Sequence, residues 1–349
     1  EIMPSLVGSE MCIRDRKKIL LIATGGTIAS LPTENGLAPA LTSGELLAYA
    51  PDMRIPCEID SIQICSIDST DVTPEIWLLI ARTVEQHYEN YDGFVICHGT
   101  DTMAYSASAL SYLIQDSAKP IVFTGAQKPI SMEITDAKTN LRDSILYACQ
   151  EDSHGVSLVF DGKVIAGTRA KKVNSKSYHA FASINYPELA VIRDERMIRY
   201  IPVPAPAKPV TFYHNMKESV FLLKLTPGMS ADILSAIFEK YDCIILESFG
   251  VGGIPHGLLD EFYRILHSCP AGEKIVVMTT QVVGEGSDVG IYEVGQRVKQ
   301  SIDCLEAYDM TLESVFAKMM WLLAIPGLTW EERKERFYQT INYDIAPPM

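Results

Sequence analysis

The stretch GFVICHGTDTMAYSASAL, residues Gly93 to Leu110, decides the fold. Phe94, Val95, Ile96 and Cys97 form a continuous apolar run, which suits a short strand buried on both faces of a parallel sheet. Met103, Ala107, Leu110 and Ile114 then recur at helical spacing, so strand gives way to helix within about five residues. The turn between them is His98, Gly99, Thr100, Asp101 and Thr102. Two uses of that turn are open. Thr100, Asp101 or Thr102 caps the helix, or the turn lines a crevice beyond the carboxyl ends of the strands, where helix starts offer free N–H groups. Caps are commoner than sites, so other segments must decide.

Working outward, the same arrangement recurs. The strand Ile19 to Ala23 runs into ATGGTIAS, Ala23 to Ser30, where Gly25 and Gly26 permit close backbone approach and Thr24 and Thr27 flank them. The dinucleotide fingerprint G-x-G-x-x-G and the phosphate-loop G-K-[ST] are both absent from this turn. The alternating strand Ile59 to Ile67 ends in Asp68, Ser69, Thr70 and Asp71, ahead of a helix with Thr73 as cap and Pro74 at its first position. The strand Ile121 to Thr124 ends in Gly125, Ala126 and Gln127. Capping alone does not account for four successive strand ends loaded with Thr, Ser, Asp and Gly. Alternation of strands and helices predicts an α/β protein with mainly parallel sheets.

A chain of 349 residues is too long for one ordinary core, so two α/β domains are expected. The proline-rich IPVPAPAKPV, Ile201 to Val210, continues neither a helix nor a central strand. It divides an N-terminal domain, residues 17–201, from a C-terminal domain, residues 211–349, with 202–210 as linker. In the second domain strands are expected at Val220 to Leu225, Cys243 to Leu246 and Ile275 to Thr279. Helices are expected at Ser230 to Tyr241, Leu258 to His267, Leu312 to Leu323 and Trp330 to Ile341. Residues 1–16 carry neither helical nor strand periodicity and read as a non-native or disordered leader. Arg16, Lys17 and Lys18 before ILLIA suggest a signal peptide, but that apolar core is too short and no cleavage site follows.

Composition narrows the function classes. Hydrophobic residues make up 47% and charged residues 21%, as in soluble globular proteins. A net charge of −14 and a pI near 5.0 argue against unspecific binding to nucleic acid or anionic lipid. No apolar stretch approaches the roughly 18 residues of a membrane span. The eight cysteines are scattered without C-x-x-C pairs, which reads as a reduced, cytoplasmic protein with no metal site.

Taken in order, TGGTIAS, DSTD, HGTDTMAYSASAL, FTGAQKP and AGTRAKKVNSKSYHAFASINYP resemble the L-asparaginase family, specifically its cytosolic type I branch. ILESFGVGGIP and YDMTLESVFAKMMWLL extend the match toward the C-terminus. The resemblance implies an asparaginase-like pair of α/β domains, a lid after the first strand, a homodimer or dimer of dimers with sites at the subunit interface, and no cofactor. It implies hydrolysis of L-asparagine to L-aspartate and ammonia through an acyl-enzyme. Thr27 is then the nucleophile, and Thr100, Asp101 and Lys172 form the proton-transfer group. Asp101 also holds the substrate's α-ammonium, Ser69 its α-carboxylate with help from Thr70, and backbone groups of Gly26, Thr100 and Ala126 surround the reacting amide.

One position departs from the pattern. Leu37 stands where many members carry a lid tyrosine, leaving Tyr105 or Tyr178 as possible substitutes. Two alternatives share the motifs: the asparaginase-like subunit of a tRNA-dependent amidotransferase, and a non-catalytic asparagine-binding protein. The first carries an extra N-terminal domain, and the second is disfavoured by the presence of Thr27 and Lys172.

Overall fold

The computed structural model describes residues 16–34, 36–49, 57–202, 204–291 and 304–346. The expected leader therefore lies almost wholly outside the described residues. The N-terminal part opens with β1 (Lys18–Gly25), a hairpin of β2 (Ser30–Thr33) and β3 (Gly36–Pro39), and α1 (Ser43–Ala48). It continues through β4 (Glu58–Ile67), α2 (Pro74–His87), β5 (Gly93–Cys97), α3 (Met103–Leu113) and β6 (Ile114–Gln115). Next come β7 (Pro120–Thr124), α4 (Ala137–Ala148), β8 (Gly155–Phe160), β9 (Lys163–Ala166), β10 (Ala170–Lys172) and β11 (Phe181–Ser183). β12 (Ala190–Arg193) and β13 (Arg196–Ile198) complete it.

One sheet organises this part, in the order β13-β12-β9-β8-β7-β5-β1-β4. β4, β1, β5, β7 and β8 run parallel, and all but β4 are almost wholly buried, as their apolar runs require. β9, β12 and β13 are antiparallel additions at one edge. The chain builds from β1 out to β4 and then returns to the other side of β1 to place β5. That reversal is a topological switch point, where the crevice above neighbouring strand ends opens.

The helices start where their local chemistry directs. Thr42 and Glu45 form a reciprocal capping box on α1. Pro74 opens α2, although the Thr73 side chain makes no capping bond there. α3 ends at Leu113, so Ile114, expected on its apolar face, instead starts β6 and pairs with β14 (Thr211–Phe212) just beyond the proline-rich segment.

The C-terminal part has a four-stranded parallel sheet, β15 (Val220–Lys224), β16 (Cys243–Ser248), β17 (Ile275–Thr280) and β18 (Leu305–Glu306). It carries α5 (Asp232–Lys240), α6 (His256–His267) and the terminal helices Leu312–Ala324 and Trp330–Tyr338. The two parts share a continuous core. Tyr112 on α3 stacks on Trp321 with centroids 5.9 Å apart, and Tyr112 donates to Asp344 at 2.9 Å. Arg169, fully buried, donates to the Asp309 and Tyr343 carbonyls and pairs with the Asp309 carboxylate at 2.8 Å. Among the described residues no helix is long and apolar enough to cross a membrane.

Candidate active site

Four turns meet at the switch point, and they meet backbone to backbone. Gly26 has φ 76° and ψ −178°, a region open to glycine, and a Cβ there would lie 2.4 Å from the Gly99 nitrogen. A Cβ on Gly99 would in turn lie 2.5 Å from the Ser69 Cβ. The glycines of TGGT and HGTDT thus let the turns after β1, β4 and β5 close on one another. Thr102 ties two of them further, its hydroxyl donating to the Ser69 carbonyl at 2.7 Å. Thr102 occupies the cap position of α3 but makes no capping bond. Of the two uses left open by the sequence, the Thr102 hydroxyl serves a tertiary contact and not a side-chain cap.

The charged centre comes from β10. Strand alternation sends adjacent lysines opposite ways. Lys171 pairs with Glu313 at 3.0 Å, while Lys172 donates to Thr100 Oγ1 at 2.8 Å and to Asp101 Oδ1 at 2.6 Å. The Lys172 side chain is 16% exposed and that of Asp101 58%, so the pair faces outward on its carboxylate side. Ser69, buried, accepts from the Asp101 amide at 3.3 Å. Thr27 is half-buried on a single 3-10 turn, Thr27–Ala29, directly after Gly26. Its hydroxyl makes no hydrogen bond among the described residues.

Of the residues expected from sequence, Ser69, Thr100, Asp101 and Lys172 are joined by direct hydrogen bonds, and Gly26 touches them through Gly99. Ala126 is buried in the turn after β7. Thr70 differs, because its amide and hydroxyl both bond to Asp68 at 2.9 Å. Leu37 sits in β3 opposite Pro32 and is half exposed. Tyr105 packs edge-on against Phe316, and Tyr178 lies under Lys128. Neither tyrosine bonds to Thr27 or to the Lys172 group among the described residues.

Gln127 was legible as a polar turn residue but had no expected role. It accepts from Thr100 at 3.4 Å and donates to the Ser177 carbonyl at 3.1 Å, linking the β7 turn to the segment after Lys172. Asp136 fixes that turn by accepting from the Gln127 and Lys128 amides.

His98 braces the turn from below. Trp77 donates to Ser106 Oγ at 2.9 Å, which leaves the Ser106 hydroxyl proton for His98 Nε2, also at 2.9 Å. Nδ1 therefore carries the proton and donates to the Gly99 carbonyl at 2.7 Å. Burial pushes the imidazole down to about 4, against a smaller opposing effect of the Gly99 bond. A group depressed from about 6.5 stabilises the fold fully above pH ~6.5, and the stabilisation is lost as pH falls through about 4. The loss amounts to roughly 3 kcal/mol, at about 1.4 kcal/mol per pKa unit. Asp143, pushed up to about 6 mainly by burial, acts in the opposite sense. Urea midpoints measured from pH 7 to 4 should therefore fall less in His98→Gln than in the wild type, and parallel curves for the two proteins would contradict this assignment.

Family models match both parts of the chain: "Asparaginase, N-terminal" over residues 18–203 and "Glutaminase/Asparaginase C-terminal domain" over residues 219–337. The chain belongs to the asparaginase family. It is 40% identical to the L-asparaginase of Thermococcus kodakarensis over 311 residues, covering 88% of this chain and 92% of that one. The solved structure of the thermostable L-asparaginase from Thermococcus kodakarensis superposes with a TM-score of 0.87 at 36% identity, covering 94% of this chain and 99% of that one. One component of the glutamyl-tRNA(Gln) amidotransferase of Methanosphaera stadtmanae is 33% identical, matching 88% of this chain and 73% of its own length. These matches place the asparaginase fold on both sheets.

Proposed function

We propose that this protein hydrolyses L-asparagine to L-aspartate and ammonia in the cytoplasm, as a homodimer or dimer of dimers. The observation that carries the reading is Lys172 Nζ held between Thr100 Oγ1 and Asp101 Oδ1, above the buried Ser69, on the strand ends that follow TGGT and HGTDT. The outward-facing Asp101 carboxylate suits a site that a second copy would cover.

In this reading the Thr27 oxygen attacks the side-chain amide carbon of asparagine. Its proton passes by way of Thr100 and Lys172 to the leaving nitrogen as the C–N bond breaks, releasing ammonia. The β-aspartyl ester on Thr27 is then attacked by water, which returns the proton to Thr27 and frees aspartate. Asp101 receives the substrate's α-ammonium and Ser69 its α-carboxylate. Backbone groups of Gly26, Thr100 and Ala126 surround the amide. Thr70, turned to Asp68, contributes by fixing the turn that presents Ser69. The chemistry requires no cofactor.

Ammonia release by the purified protein, with L-asparagine and L-glutamine supplied separately and no RNA present, tests the activity. Turnover of asparagine supports it, and an inert protein that still binds asparagine overturns it in favour of a binding role. Leu37 allows a second test. If the Lys172 group suffices without a lid tyrosine, Leu37→Tyr should change the rate by less than roughly tenfold, because proton transfer gains appreciably only when the group is correctly placed. An inert wild type beside an active Leu37→Tyr would show that this lid lacks a required group.

A further inference from the structure

Where α4 meets the antiparallel edge of the main sheet, the chain leaves a cavity of about 430 Å³. Its walls are α4, the turn from β8 to β9, the turn from β12 to β13, and Tyr178 from the segment after Lys172. Three buried polar atoms of these walls go without hydrogen bonds: Asp143 Oδ1, Arg142 Nε and the Tyr178 hydroxyl. Asp143 is 2% exposed, and its one ionic partner among the described residues, Arg142 Nε, stands 3.7 Å away, beyond hydrogen-bond reach. Burial pushes its carboxyl up to about 6, so at neutral pH it is mostly charged with no closer group to hold that charge. A buried carboxylate in this condition is costly until a donor reaches it.

The lining is acidic, and most of its carboxylates are committed. Asp136 accepts from the Gln127 and Lys128 amides, Asp161 pairs with His179, and Glu195 draws Arg142 Nη1 to 3.1 Å. Asp143 and Asp194 remain. Asp194, in the β12–β13 turn, makes no side-chain hydrogen bond or ion pair among the described residues. The acids do not converge on one point, because no group of three His, Cys, Asp or Glu among the described residues could hold a metal ion. Ile192 supplies an apolar wall.

We propose that this cavity binds a short aliphatic diamine, with one ammonium on Asp143, the other on Asp194, and the methylene stem against Ile192. An ammonium carries three donors, so the inner one serves both the Asp143 carboxylate and the Tyr178 oxygen. Two separated charges match two separated acids, and each contact is a charge-assisted hydrogen bond.

Isothermal titration calorimetry of the full chain with putrescine, in low-salt phosphate buffer free of other amines, tests this. One putrescine per chain with a Kd below about 1 mM is expected. Butylamine should bind at least roughly tenfold more weakly, since it leaves one carboxylate unpaired. Asp143→Asn and Asp194→Asn should each weaken putrescine by at least about tenfold, with asparagine turnover unaltered. Asp194 is exposed and has φ 48°, which asparagine tolerates, so that variant decides even if Asp143→Asn fails to fold. Binding is read without asparagine, so its outcome is separate from that of the turnover assay. The proposal is overturned if putrescine gives no saturable heat, if butylamine binds as tightly, or if both variants keep the wild-type affinity. Either of the last two results would reduce the effect to diffuse attraction by the net charge of −14.

Discussion

Thr27→Ala is expected to reduce asparagine-dependent ammonia release by more than about a thousandfold while leaving the circular dichroism and melting temperature near those of the wild type. Removing a nucleophile costs several orders of magnitude, because the remaining groups act only together with it. The fold should tolerate the change, since the Thr27 hydroxyl makes no hydrogen bond among the described residues and is only half-buried. Thr24 supplies the control. Its buried hydroxyl donates to the Cys97 carbonyl at 3.0 Å, bracing β1 against β5, and Thr24→Ser keeps that bond. This variant should retain most of the turnover. A loss below tenfold in Thr27→Ala would remove Thr27 from the nucleophile's place.

Lys172→Met should lower turnover by at least about a hundredfold, the usual contribution of a placed proton-transfer group. Asparagine binding, measured by calorimetry on the same variant, should weaken by less than roughly tenfold, because Ser69 and Asp101 remain. The substitution removes the amine shared by Thr100 and Asp101 but keeps the length of the stem. Little stability should be lost, given how open the Asp101 carboxylate is to solvent. A variant that keeps most of its turnover would refute the proton-transfer role. A variant that loses binding and turnover together would make Lys172 a substrate-binding residue.

The parallel half of the main sheet was readable because buried strands leave unbroken apolar runs such as Phe94 to Cys97, and the turn residues after them are short and polar. The antiparallel edge was not read, although part of it had a signal. Asp161 and Gly162, both at positive φ, form the tight turn between β8 and β9, and an Asp-Gly pair between two apolar runs is a hairpin marker. Asp194 and Glu195 turn β12 into β13 with no glycine, so nothing local announced that hairpin. The site motifs gave the residue types and their order. They did not reveal that the glycines are points of contact between turns, or that Gln127 and His98 hold those turns. Such contacts join segments distant in sequence, which local periodicity does not encode. The reading of two domains likewise missed the shared core, because the stacking of Tyr112 on Trp321 links one apolar helix face to another far along the chain.

The anchoring of Arg169 orders events during synthesis. This residue lies three positions before Lys172, and its guanidinium is bound by Asp309 and the Tyr343 carbonyl, 140 and 174 residues farther on. A nascent chain that has emerged only through its first sheet already contains Thr27, Ser69, Thr100, Asp101 and Lys172. It still lacks the groups that seat the strand carrying the lysine, and a buried guanidinium without its acceptors is costly to enclose. The strand carrying Lys172 is therefore fully seated only after residues as far on as Tyr343 have been made and docked. Until then the polypeptide has every residue the proposed chemistry needs, with the amine not yet in place.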